Sequence, residues 1–282
     1  MKEERKLIMI KWFMSALLLL LSPSMVWSAD ILLTQNLHAK AFVMQGERDG
    51  SWEKSLVVQF PDLRRVLSTS DGFVNATAIV NHSAKPELWG KVCREMKTQK
   101  EVGGKVYLRM IKEKIADKLG TKSENITELG TAADMDNLAT VTKEYKPFVV
   151  TALVTAGAKT NALRTGVDAG LHIEGEEPKG TVIIFILTNA KLTDGAMARA
   201  LITVTEAKTA AFQDLNVPSS YSKSVQATGT GTDSIMVVSG IEGPKVTYTG
   251  GHSKIGELIG KAVHEAVLKA LKKQNSFKKT KK

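Results

Sequence analysis

At 282 residues, with 43% hydrophobic and 24% charged residues, the chain has the composition of a soluble globular protein and enough length to bury a sizeable core. Its net charge of +10 sits mostly at the ends: residues 1–28 carry +2 and residues 269–282 carry +7, which leaves +1 for the body. A near-neutral body argues against nucleic acid as a partner, and Cys93, as the single cysteine, excludes an internal disulfide or a thiolate metal cluster.

The chain opens like an export signal. A basic segment ends at Lys11, an apolar run covers Trp12–Leu21, Pro23 breaks it, and Val26 and Ser28 suit a cleavage position after Ser28. The run is shorter than the ~20 residues of a comfortable membrane span. The expectation is an exported, periplasmic protein with a signal peptide over 1–28 and no stable membrane span after cleavage. An uncleaved N-terminal anchor is the alternative. Cys93 lies among Lys91, Arg94 and Glu95 in a helix-like segment and does not read as a nucleophile.

The body begins β-rich. Short strands are predicted at 31–35 and 40–45, then firmer ones at 56–60, closed by Pro61, and at 64–70. Asp71-Gly72 is a turn signal before a strand at 73–80. Residues 105–120 form an amphipathic helix with Leu108, Ile111, Ile115 and Leu119 on one face and Gly120 as its stop. A short helix is predicted over 131–140 and a buried strand over 148–157.

The second half is more regular. TVIIFILT (181–188) has the continuous apolar character of a strand buried on both faces. Thr193 caps a helix running to about Leu215, with Arg199, Glu206 and Gln213 as an outer stripe and Lys208 out of place on the apolar face. Strands are predicted at 235–240 and 245–250; paired as a hairpin they would bring Asp233 and Gly250 to the same end. A last helix starts at Ser253, with the full 3.6-residue pattern from Ile255 to Leu271. The fold class is α/β (mixed α+β): a single domain over 29–268 with a mixed β-sheet packed by helices, followed by a basic tail over 269–282.

Standard catalytic signatures such as GxSxG, the P-loop and HExxH are absent. His264-Glu265 has no second histidine and makes no zinc site; His38 and His172 are lone histidines. One stretch stands apart. Thr228, Thr230 and Thr232 alternate with Gly229 and Gly231 and then meet Asp233, so hydroxyls and backbone N–H groups there can hold an anion or polarise a carbonyl. An ordinary loop before a strand is the other reading. His252, between Gly251 and Ser253 at a helix N-terminus, sits where backbone donors favour negative charge.

TALVTAGAKTNALRTG (151–166), ALITVTEAKTAAFQDLNV (200–217), ATGTGTD (227–233) and GHSKIGELIG (251–260) resemble the adenosylcobinamide amidohydrolases, and RRVLSTSDGFVNATAIVN (64–81) resembles their N-terminal segment. The resemblance covers roughly residues 50–270. It implies removal of aminopropanol from adenosylcobinamide to give adenosylcobyric acid in corrinoid salvage; some members of the family also cut complete cobamides. It implies no cofactor and no protein metal, since the substrate carries its own cobalt. The export leader and the lysine tail depart from the family pattern.

Within that resemblance the residues suggest roles. Amide hydrolysis needs an activated water, a polarised carbonyl and a proton for the leaving amine. His252 or Glu206 is the expected base, oriented by Asp233. Lys254 and the loop Thr228, Gly229, Thr230, Gly231 and Thr232, with Ser253, are expected to hold the oxyanion and substrate. Asn75, Asn81 and Asn161 are expected to bind corrin amides, and His82 or His252 is an alternative cobalt ligand. The competing reading is an exported corrinoid-binding protein without turnover.

Overall fold

The computed structural model describes residues 25–170, 173 and 181–277. The leader's apolar run, His172 and the last five residues of the tail lie outside this set. In chain order the strands and helices are β1 (Val26–Ile31), β2 (Lys40–Arg48), β3 (Ser51–Ser68), β4 (Gly72–Ala84), α1 (Pro86–Glu95), α2 (Gly103–Leu119), β5 (Ile126–Thr131), β6 (Ala139–Tyr145), β7 (Phe148–Gly157), β8 (Ala162–Leu163), β9 (Thr181–Thr188), β10 (Lys191–Leu192), α3 (Asp194–Asp214), β11 (Gly229–Thr230), β12 (Ser234–Val238), β13 (Lys245–Val246) and α4 (Lys254–Asn275).

The long strand β3 organises the sheet. Its first half pairs with β2 on one side and β4 on the other. Its register with β4 shifts between Gln59 and Arg64, around Pro61. Beyond that shift the second half pairs with β12 instead of β2. The sheet continues through β9 and β7 to β6, while β5 adds to β4 in parallel. A curled mixed sheet results, and its two halves face each other.

Alternation along the strands sorts side chains into three cores. Ile183, Phe185 and Leu187 of β9 point between the sheet halves, where Leu56, Val58 and Leu129 meet them. Val182, Ile184 and Ile186 point outward under α3 and α4. Val57, Ala78 and Val80 point outward on the other side, under Tyr107, Ile111 and Ile115 of α2. β9 is therefore buried on both faces, as its composition predicts. The order of layers is helices, sheet, sheet, helices, in one domain.

The helix predictions at 105–120, 193–215 and from Ser253 agree with α2, α3 and α4. Thr193 and Ser253 cap α3 and α4 by accepting from Ala196 N and Gly256 N. The predicted outer stripe Arg199, Glu206 and Gln213 is exposed on α3.

Four expectations are corrected. Strands 56–60 and 64–70 are one strand, because Pro61 makes a bulge and not an end. The short helix over 131–140 is only a 3-10 turn at Met135–Asn137 between the strands β5 and β6. The hairpin of 235–240 with 245–250 does not form. β12 pairs in parallel with β9 through the α3 crossover, and β13 pairs with β10. The turn after β12 is held by the β9–β10 loop: Gly240 N donates to Ala190 O, and a Cβ on Gly240 would overlap the Asn189 carbonyl. The first strand lies at Val26–Ile31 and not at 31–35.

That strand crosses the expected signal-peptide boundary. Met25 is buried, and Trp27 stacks on Phe42 with ring centroids 3.5 Å apart. At the other end, α4 carries the first seven residues of the basic tail, with Ala270 and Leu271 fully buried. Among the described residues no helix is long and apolar enough to cross a membrane.

Candidate active site

The Thr/Gly loop lies where β9 and β12 begin. β11 pairs with β8, which ties the loop to the segment after β7. Asp233 closes it from inside: its Oδ1 accepts from Thr230 N at 3.1 Å and from Thr230 Oγ1 at 2.6 Å. Its Oδ2 accepts from Lys208 Nζ, the lysine that the α3 pattern left out of place. Both partners are nearly buried, with side chains 9% and 15% exposed. A Cβ on Gly229 would overlap Lys208 Nζ and Asp233 Oδ2, so a larger residue there must displace the ends of this pair.

Asn161 braces the loop from the other side. Its carbonyl accepts from Gly231 N at 3.2 Å, its Nδ2 donates to Thr232 Oγ1 at 3.5 Å, and its Oδ1 accepts from Tyr221 OH at 3.0 Å. Thr209 Oγ1 on α3 donates to Thr228 O at 2.9 Å, and Thr181 Oγ1 donates to Thr232 O at 2.9 Å. The loop is thus a rigid element, held by α3, β8 and β9.

A cleft of about 380 Å³ opens beside it. One wall is Thr232, Asp233, Ser234 and Thr181; the other is Glu128, Leu129 and Gly130 of β5, with Leu108 of α2 behind them and Thr69 and Ser70 at the end of β3. Glu128 is the unusual group. Burial is the main cause that raises its carboxyl to about 7, with Lys112 and Arg109 opposing and Asp71 and Glu113 adding to the rise. Its Oε2 is buried and has no hydrogen-bond partner among the described residues. Asp71 is itself engaged by Thr127 Oγ1.

The sequence-predicted residues divide sharply. Thr228, Gly229, Thr230, Gly231, Thr232, Asp233 and Asn161 come together. His252, Ser253 and Lys254 do not join them. Lys254 Nζ lies 4.5 Å from the centroid of the Tyr145 ring, and Tyr145 pairs with Phe148 at the edge where β9 ends. Asp233 lies at the edge where β9 begins. The length of β9, roughly 20 Å at the usual strand rise, separates the two. His252 is exposed, Ser253 is a helix cap, and Lys254 is paired with Glu257 at 2.5 Å. Asp233 therefore cannot orient His252. The expectation failed because it relied on the 235–240/245–250 hairpin.

Glu206 is exposed on the outer face of α3, while Lys208 two residues on faces inward. Asn75 is exposed on β4 opposite Arg65. Asn81 is buried and donates to Thr155 Oγ1 at 2.9 Å, linking the two sheet halves. His82 is fully buried: Nδ1 bonds Ser55 Oγ at 2.8 Å and Nε2 bonds Tyr107 OH at 3.0 Å, so neither nitrogen can reach a cobalt ion. Burial drives its pKa down to about 3, which leaves the ring neutral. Tyr107 OH donates onward to Glu53 Oε2 at 2.7 Å, which Arg48 also contacts.

The sequence profile described as adenosylcobinamide amidohydrolase matches residues 40–279, nearly the whole described chain. The chain belongs to the adenosylcobinamide amidohydrolase family. A relative from Methanocaldococcus jannaschii, the uncharacterized protein MJ1613, is 45% identical over 248 residues, covering 82% of this chain and 92% of that protein. The crystal structure of the PH0078 protein from Pyrococcus horikoshii OT3 covers 89% of this chain and 83% of its own at 13% identity, with a TM-score of 0.39, too distant a likeness to bear on the chemistry. For this adenosylcobinamide amidohydrolase family member, sequence reasoning missed Glu128 and the ion-pairing role of Lys208. The signal for Lys208 was its place on an apolar helix face. Glu128 carried no local signal, because a lone carboxylate in the strand-like ITELGT marks neither burial nor a cleft.

Proposed function

We propose that the protein hydrolyses the amide bond joining aminopropanol to the corrin side arm of adenosylcobinamide, giving adenosylcobyric acid. Family membership supports a hydrolase of this class. The observation that carries the reading to this cleft is its pairing of a rigid hydroxyl-rich loop with a buried carboxyl group across a space of about 380 Å³. That volume suits an amide arm and a water; a corrin macrocycle is too broad for it and would rest at the mouth.

In this reading Asp233 is not the base, because both its oxygens are already engaged by Thr230 and Lys208. It fixes the loop. The Ser70 hydroxyl on the cleft wall supplies a donor toward the carbonyl oxygen. Among the described residues no three His, Cys, Asp or Glu side chains gather as a metal-ligand set. Hydrolysis without an added metal or cofactor is proposed, the cobalt belonging to the substrate. Export to the periplasm is proposed from the Lys11–Ala29 leader alone.

Purified protein incubated with adenosylcobinamide, followed by mass spectrometry, tests the function. Adenosylcobyric acid and aminopropanol are expected, with activity unaffected by a chelator. Corrinoid binding without product after long incubation would favour a binding protein.

A further inference from the structure

Resting on the proposed amide hydrolysis, we propose that Glu128 is the catalytic proton carrier. It takes a proton from the attacking water and returns one to the leaving amine.

The geometry singles it out by comparison with every other carboxylate near the cleft. Asp233 is saturated by Thr230 and Lys208. Asp71, in the turn between β3 and β4, is held by Thr127. Glu128 alone among the cleft-lining groups carries a carboxylate oxygen that is buried and unbonded. A carboxylate oxygen buried without a partner costs stability, since water no longer satisfies it. Such a cost is typical of a functional group kept available for a ligand.

The surroundings also set its proton affinity. Lys112, Arg109 and Glu113 face it from α2, Asp71 faces it from the β3–β4 turn, and Asp233 stands across the cleft with Lys208 as its own counter-ion. The two cations do not outweigh burial and the two acids, so the carboxyl titrates at about 7. A base of that strength can accept a proton near neutral pH and still give it back.

The step balances without any further reactant. The oxygen of water bonds to the amide carbonyl carbon as its proton moves to the Glu128 carboxylate. The tetrahedral intermediate then breaks its C–N bond, and the proton passes from Glu128 to the departing nitrogen. One water is consumed, one carboxylic acid and one amine are released, and Glu128 ends as it began.

The test compares wild type with Glu128→Gln and Glu128→Asp for turnover of adenosylcobinamide between pH 5 and pH 9. Corrinoid binding and a thermal melt accompany each variant. Wild-type turnover should rise with pH through about 7. E128Q should lose at least about a hundredfold in kcat with binding intact. E128D should keep part of the activity with its acid limb moved. An active wild type with E128Q within about threefold of it would overturn the assignment, as would loss of binding along with turnover. If E128Q does not fold, an E128D with unaltered rate and pH profile overturns it. A wild type that turns over neither adenosylcobinamide nor a complete cobamide instead removes the underlying function, and with it any such role for Glu128.

Discussion

Lys208 leaves the apolar face of α3 to pair with Asp233 behind Gly229, and this contact locks the Thr/Gly loop against the helix. Truncating Lys208 leaves Asp233 Oδ2 without its cation, while Oδ1 keeps the two Thr230 donors beside the cleft. Lys208→Ala is expected to destabilise the protein by about 1–3 kcal/mol, the range for a lost hydrogen bond to a charged group. Gly229→Ala should disturb the same pair by overlap and lower both the melting temperature and turnover. A thermal melt of each variant checks the first expectation, and an unchanged melt for K208A would contradict it.

Glu128 makes stability fall with rising pH. Its ordinary carboxyl loses its proton near 4.5 in the unfolded chain but only at about 7 in the folded protein. Between those values the unfolded state binds fewer protons, so stability decreases as pH rises through this window. Glu128→Gln removes the effect and should stabilise the protein at pH 8 by about 3 kcal/mol, with much less gain at pH 4.5. Denaturant melts at the two pH values measure the difference.

The exposed His252 lies across the sheet from the cleft. His252→Ala should therefore keep turnover within about threefold of wild type, far from the hundredfold loss expected of a general base. Steady-state kinetics on the purified variant decides the point.

The side chains Ser55, His82, Tyr107 and Glu53 are buried and linked in series by hydrogen bonds that end at Glu53 Oε2. Tyr107→Phe leaves His82 Nε2 without a partner and Glu53 Oε2 with Arg48 alone, and should cost about 1–3 kcal/mol. The histidine also sets an acid limit. It is protonated near 6.5 when unfolded and only at about 3 when folded, so its contribution is lost as pH falls below 6.5. Glu128 opposes this in wild type, so acid melts of the Glu128→Gln variant between pH 7 and pH 4 should show that decline.

A chain beginning at Ala29 lacks Met25, buried just before β1, and Trp27 of β1, which stacks on Phe42 of β2. Losing two buried or stacked apolar side chains should destabilise it by roughly 2–4 kcal/mol relative to a chain beginning at Met25. Equal melts for the two chains would show that β1 is dispensable.

Where periodicity was strong, the sequence was readable: α2, α3, α4 and β9 follow from the placement of Ile111, Val204, Val263 and Ile184. The Thr/Gly loop was legible because glycines and threonines alternate up to Asp233. The pairing of strands was not legible. Nothing local in IMVVSG indicates that it lies parallel to TVIIFILT and not antiparallel to KVTYTG; the crossover through α3 decides that, and it is a non-local choice. The error in pairing carried His252 to the wrong edge. Glu128 was hidden for a related reason: what makes it unusual is burial against α2 and the cleft, and a lone glutamate in a strand shows neither.

The most direct test is one incubation of the purified protein with adenosylcobinamide in ¹⁸O-enriched water, read by mass spectrometry. Cleavage at the amide predicts adenosylcobyric acid carrying one ¹⁸O in its new carboxyl group and unlabelled aminopropanol. Intact adenosylcobinamide recovered from a protein that binds it, or cleavage that places the label in aminopropanol, would contradict the account.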